Sequence, residues 1–370
     1  MKFVFLLLPF MVINSFNIGT LNIPITYIII FILYVKSFSY KLPKSTFYFF
    51  IIFFMILSLQ FVLNETIVIN NYIKLLSIIL TYTVLYRYRK TLIQNLKYFK
   101  IAIYITLVYA LYQYLIILLQ LDIRSFYAII PVWEWNNNLW HLIMTTPNIR
   151  VSGFTLEPAF LSIFIAFGFI INHLFYRERT FFIILFMLSF LSLSRNLLIF
   201  LVVFFFLLFL HKFIKTRLVY IFIFILTFLL PPVLLYLIIG NFSNYDVSVF
   251  MRTIPFVVFF TETNFGEILI GTDYSMIIKN STYESLLYSL FPSSSENLAK
   301  DPKSFLASLL FSYGIIGLVS YIIYGISISK KNTINLIYLS SFNLVIFNVS
   351  ILYWPILWIF FLIIYENKEH

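Results

Sequence analysis

The sequence predicts an all-α polytopic membrane protein of about twelve transmembrane helices, and three observations predict it. Of its 370 residues, 62% are hydrophobic and only 11% are charged. A single water-solvated core of this length cannot hide that much apolar surface, so lipid is the expected solvent. The cations fall in small clusters between long apolar runs, which is the positive-inside pattern of a membrane protein. The apolar runs are nearly free of charge at mid-span and carry only occasional Ser, Thr, Asn and Gln. The net charge of +11 is therefore read as membrane orientation, and no nucleic-acid partner is expected.

Each element follows in order. Residues 2–17 hold one cation and an apolar stretch. No small-x-small cleavage site follows, so the run is read as a first membrane helix rather than a signal peptide. Residues 23–35 give the second helix, and Lys36, Lys41 and Lys44 mark the cytoplasmic side after it. Residues 46–63 cross back to a short polar loop, and 72–86 return to Arg87, Arg89, Lys90, Lys97 and Lys100, the strongest cytoplasmic marker. Residues 101–120 cross outward. A first long periplasmic loop follows, about 121–157, with Trp133, Trp135 and Trp140 suited to a membrane–water interface. Residues 159–176 cross inward to Arg177 and Arg179.

Residues 180–210 are too long for one span and short for two. Cations lie on both flanks, at Arg177 and Arg179 and at Lys212, Lys215 and Arg217. Two crossings are therefore required, with a hairpin tip at Ser192, Leu193, Ser194 and Arg195. Residues 218–239 cross outward, with a kink expected at Pro231 and Pro232. The second long periplasmic loop, about 240–303, follows. In it residues 252–260 read as a half-buried interfacial helix. Residues 304–324, 333–348 and 351–365 complete a single integral membrane domain, residues 1–370, with both termini cytoplasmic. This arrangement puts seventeen Lys and Arg with three carboxylates inside, and eight with eleven outside, a net +14 against −3.

The chemistry-bearing residues collect outside the spans. Ion-coupled transporters place ionisable groups near the midplane; here they sit in the two long loops and at the hairpin tip, which points to a site at the outer face. The stretch RVSGFTLEP at 150–158 holds one cation, Arg150, and one carboxylate, Glu157. Pro158 suits the first position of a helix, and Glu157 before it sits where the macrodipole favours an anion, so Glu157 also reads as a helix cap. Arg150, Arg195 and Arg252, arriving from separate segments, suit phosphate oxygens, which guanidinium binds in bidentate fashion. Each arginine also reads as an interfacial anchor of its own segment. With no Cys, and with His only at 141, 173, 211 and 370, no metal set is spaced for coordination and no cofactor is expected.

The R-x-S-G-F-x-x-E-P stretch before a membrane helix resembles the O-antigen polymerases (Wzy) and the related O-antigen ligases. So do the twelve-helix layout, the two long outer loops, the Ser-x-Ser-Arg tip, the Arg opening the second loop, the segment Gly266–Gly271, and Tyr313, Gly314 and Gly317 near the end of the chain. The resemblance implies block transfer of a growing saccharide from undecaprenyl diphosphate to the sugar hydroxyl of an incoming lipid-linked repeat unit. It implies no metal and no nucleotide sugar. By the same resemblance Arg150 and Arg252 bind the diphosphate with Arg195 as a third, and Glu157 is the base or acceptor-positioning group. His141 is an alternative base that no family motif surrounds. A chain-length regulator and a flippase are the expected protein partners. The ligases carry a His in the second long loop and Pro-Asn where this chain has Glu157 and Pro158. Residues 240–303 contain no His, so the resemblance favours polymerase over ligase. A lipid-linked oligosaccharide flippase is the alternative from another class. It needs a cationic cavity open to both faces, and the spans are nearly free of charge at mid-span.

Overall fold

The computed structural model describes residues 2–10, 15–18, 21–35, 42–64, 69–119, 158–239, 247–280, 302, 304–329, 332–347, 349 and 354–367. These are largely helical, with one short pair of strands near the start. In chain order the elements are α1 (Lys2–Leu7), β1 (Ser15–Ile18), β2 (Leu21–Pro24), α2 (Ile25–Val35), α3 (Lys44–Asn64), α4 (Ile69–Arg87), α5 (Arg89–Leu118) and α6 (Pro158–Ile171). They continue with α7 (Arg179–Ser192), α8 (Arg195–His211), α9 (Arg217–Ile239), α10 (Val247–Thr261), α11 (Phe265–Ile270), α12 (Tyr274–Asn280), α13 (Phe305–Ile328), α14 (Thr333–Ile346) and α15 (Pro355–Glu366).

By length and composition, four described helices suffice to cross a membrane: Lys44–Leu63, Arg89–Ile116, Ala159–Tyr176 and Phe305–Ile328. Six shorter apolar helices accompany them. Their outward faces are those of lipid-solvated helices. On α8 Leu198, Val202, Phe206 and Phe209 are exposed at helical spacing, Val202 by 70%. On α3 Phe47, Ile51, Met55, Leu59 and Val62 make a similar stripe. Such apolar rows are wrong for water and right for hydrocarbon.

The first expected span is shorter than the sequence suggested. α1 ends at Leu7 in a 3₁₀ turn, Leu8–Phe10, that contains Pro9, where the ring removes a backbone donor. Residues 15–18 and 21–24 then pair as antiparallel strands in the register Ser15↔Pro24 to Ile18↔Leu21. Apolar Phe16 and Ile18 alternate with Ser15 and Asn17, a period of two rather than 3.6. The cationic marker after α4 also differs. Arg89, Lys90, Lys97 and Lys100 belong to α5, which begins after a single turn residue, Tyr88. Straight-chain Arg and Lys are good helix formers, so the loop expected there is a helical turn. α9 is helical through Pro231 and Pro232, where the kink is expected.

The chain forms two compact units. The first takes Met1–Phe38 and Val84–Phe205, the second Ser39–Thr83 and Phe206–His370. In the first, α5 is the spine, with α1, α6 and α7 packed along it. Its buried residues Leu92, Leu96, Phe99, Ile103, Thr106, Ala110 and Gln113 recur in alternating steps of four and three, the seam of helices that pack side by side with a slight supercoil. α6 is buried on every side from Leu161 to Asn172, as suits a helix apolar all round. A Cβ added at Gly168 would lie 2.6 Å from Leu185 Cδ2, so that glycine lets α6 and α7 approach closely.

In the second unit α13 packs against α3, α11, α14 and α15. Trp358 is buried among Phe49, Phe50, Tyr82 and Phe361. Thr46 Oγ1 lies 3.2 Å from both Tyr82 Oη and Tyr324 Oη, which ties three helices through buried polar groups. The two last helices are joined by amides. Asn335 Nδ2 donates to the Ile364 carbonyl at 3.1 Å, and Asn367 Nδ2 donates to Asn335 Oδ1 at 2.7 Å.

Candidate functional site

The hairpin expected within residues 180–210 is present. α7 ends at Ser192, Leu193 takes a left-handed conformation (φ 41°, ψ 36°) and α8 begins at Arg195. Phe182 and Phe205 meet with ring centroids 6.1 Å apart, so the two helices run back along each other. The Leu198 amide donates to the Ser194 carbonyl at 3.1 Å, which makes Arg195 the first residue inside α8. Pro158 likewise is the first residue of α6.

In the second long polar segment the interfacial helix expected over 252–260 is α10. Arg252 is half-buried on it, one and two turns from the buried Phe256 and Phe259 on the same face. Phe256 stacks on Phe347 at 5.8 Å and Phe259 meets Phe311 edge-on at 5.0 Å. Arg252 therefore sits on a helix packed into its unit through that apolar face. Arg195 belongs to the first unit and Arg252 to the second. Arg150, Glu157 and His141 lie outside the described residues.

Two glycine motifs that are far apart in the sequence do meet. α11 starts with a capping box. Asn264 Oδ1 accepts from the Glu267 amide and Glu267 Oε2 accepts from the Asn264 amide, both at 2.9 Å. It ends at Gly271, φ 88°, whose amide donates to the Glu267 carbonyl at 2.7 Å. Directly against it, α13 is broken at Gly314, where φ is 63° and ψ −166°. A Cβ on Gly314 would fall on the Leu269 carbonyl and within 2.6 Å of the Gly271 nitrogen. A Cβ on Gly271 would meet the Phe311 carbonyl and, at 2.8 Å, the Tyr313 nitrogen. The two backbones touch because neither carries a side chain.

A break in an apolar helix interrupts its hydrogen-bond ladder, and buried carbonyls need other donors. Thr272 N–H donates to the Phe311 carbonyl at 2.7 Å. Gln60 Nε2, from α3, donates to the Ser312 carbonyl at 2.9 Å and to the Ile270 carbonyl at 2.5 Å. One buried amide thus bridges the end of α11 to the break in α13. Sequence reading missed Gln60. Its only signal is that it is the single amide side chain in the apolar run 46–63. Gln60→Leu leaves both carbonyls without this donor, and a buried group left unsatisfied costs about 1–3 kcal/mol. A clear fall in the melting temperature of the detergent-solubilised protein is expected, and an unchanged melting temperature would remove Gln60 from the junction.

The chain matches no family model, no curated protein and no solved structure. Its class accordingly rests on its own physics: a helical protein whose apolar helices suit a membrane.

Proposed function

We propose that the chain is a twelve-span protein of the bacterial inner membrane with both termini cytoplasmic. Its activity is to polymerise undecaprenyl-diphosphate-linked oligosaccharide repeat units, of O-antigen or capsule, at the periplasmic face. The observation that carries this reading is the RVSGFTLEP stretch at 150–158 ahead of an apolar helix. It is followed in order by the Ser-x-Ser-Arg tip, the arginine of the second polar segment and the paired glycine motifs.

The reaction transfers the saccharide from its anomeric carbon–oxygen bond to a hydroxyl of the incoming unit. That bond breaks, undecaprenyl diphosphate departs, and the hydroxyl proton passes to a base. The diphosphate is already a good leaving group. The protein must stabilise the charge growing on it and hold the two reacting atoms together. Arg150 and Arg252 are assigned to the diphosphate, with Arg195 as a third cation. Arg195 opens a helix, where the macrodipole disfavours a cation. On the outer side the positive-inside rule does not require one either. Glu157 is assigned to the acceptor hydroxyl as base or positioning group, and a metal is not required.

The test is deletion of the gene, with surface polysaccharide resolved on a gel. Core carrying a single repeat unit is the expected product. Bare core would point instead to an O-antigen ligase or a flippase, and an unchanged ladder would end the reading.

A further inference from the structure

In the first unit the junction of α6 and α7 has an unusual backbone. α6 runs into a π-helical turn, Asn172–Tyr176, followed by Arg177 in a left-handed conformation (φ 53°, ψ 30°). Wide turns of this kind are uncommon and frequent at functional sites. Asn172 holds the turn closed. Its Oδ1 accepts from the Glu178 amide at 3.1 Å, its Nδ2 donates to the Glu178 carbonyl at 3.2 Å, and its own carbonyl accepts from the Arg177 amide at 2.7 Å. The Glu178 carboxylate is taken by Lys100 on α5 in an ion pair.

Beside this turn is a cleft of about 430 Å³. Phe169, Phe182, Phe204 and Phe205 line it together with His173, Glu178 and the exposed Arg177 and Arg179. The carboxylate in that lining, Glu178, is paired with Lys100, and among the described residues neither arginine has an ion pair. The lining is thus mostly aromatic and carries two unpaired guanidiniums, at the end of two apolar helices. The volume falls in the range of small-ligand pockets, roughly 300–1,000 Å³, and is too small for a docked helix some 10 Å across. Basic pockets between membrane helices hold anionic lipid headgroups, and guanidinium matches phosphate oxygens.

We infer that the Arg177–Arg179 cleft binds one anionic phospholipid, its phosphate between the two guanidiniums and an acyl chain along the phenylalanine wall. The site is independent of the glycosyl-transfer reading, uses none of its residues, and stands or falls alone.

The test is lipid retention by full-length protein in detergent micelles doped with phosphatidylglycerol, measured by native mass spectrometry. Arg177→Gly combined with Arg179→Ala removes both charges. Glycine accepts the left-handed turn and alanine suits the helix start. Retention is expected to fall about tenfold. Arg179→Ala alone, at an exposed position, should lower it about threefold and gives a reading independent of the turn. Lys212→Ala with Lys215→Ala, which removes two exposed cations that do not line the cleft, should leave retention unchanged. Equal retention by wild type and both arginine variants overturns the inference. So does an equal loss from the lysine pair, which would make binding a matter of net charge. Equal uptake of phosphatidylcholine, or full competition by soluble glycerol 3-phosphate, overturns it as well, the latter by showing a free anion to be the ligand.

Discussion

Replacing Gly314 by valine is expected to prevent α13 from seating on α11, with a loss of about 2–6 kcal/mol. Two costs add. The backbone at φ 63°, ψ −166° belongs to a region essentially reserved for glycine, and forcing a β-branched residue there costs of order 1–3 kcal/mol. The new side chain then has no room, because its first carbon already overlaps the Leu269 carbonyl and crowds the Gly271 nitrogen. Relief requires moving the Gly271 backbone, and with it Thr272 N–H and the Ile270 carbonyl, which pair with Phe311 and Gln60. A further 1–3 kcal/mol of overpacking follows. Loss of a monodisperse gel-filtration peak, or a melting temperature lowered well beyond that of Gly266→Ala, is the expected result. Gly266 is the matched control. A Cβ there meets only Asn264 Oδ1, at 3.3 Å, and φ is not in the glycine region. If the two variants melt together, the break in α13 does not depend on glycine.

The helices were legible where composition alone decides. Pro158 at a helix start, the turn at Leu193 and Ser194 and the amphipathic α10 follow from proline geometry, charge on both flanks and apolar spacing. The legible features stop at long-range pairing. Gly271 and Gly314 were each visible as motifs, but spacing along a chain does not say that two segments more than forty residues apart will share backbone contact. Gln60 was less visible still. A single amide in an apolar run is equally compatible with facing lipid headgroups or a neighbouring helix, and only the positions of Ile270 and Ser312 distinguish the two. The strand pairing of residues 15–18 with 21–24 was missed for another reason. Short apolar runs satisfy a helical and a strand pattern together, and the hydropathy of the first span outweighed its period of two. The first helix was over-extended because Pro9 was read as lying within a span rather than ending one.

At Glu157, magnitudes separate two roles that share one position. As a helix cap beside the N-terminus of α6, its carboxylate contributes about 0.3–1 kcal/mol to stability through the macrodipole, and Glu157→Gln should then lower stability slightly and leave polymer length alone. As the group that takes or positions the acceptor proton, the same substitution should reduce the transfer rate by about 10²–10⁴-fold at nearly unchanged stability, because Gln keeps the shape and loses the basicity. The two outcomes differ by orders of magnitude in rate and by under a kilocalorie in stability, so one variant decides. Arg150→Ala and Arg252→Ala extend the argument. Removing one fixed donor from a developing anion costs about 10²–10³ in rate. On a polymer ladder that is a collapse to single repeat units, with the protein present in the membrane at wild-type level. Arg→Lys at either position keeps the charge and loses the bidentate geometry, and should restore activity only in part. Ladders of normal length in Glu157→Gln, Arg150→Ala and Arg252→Ala together would return Glu157 to a cap and the two arginines to interfacial anchors.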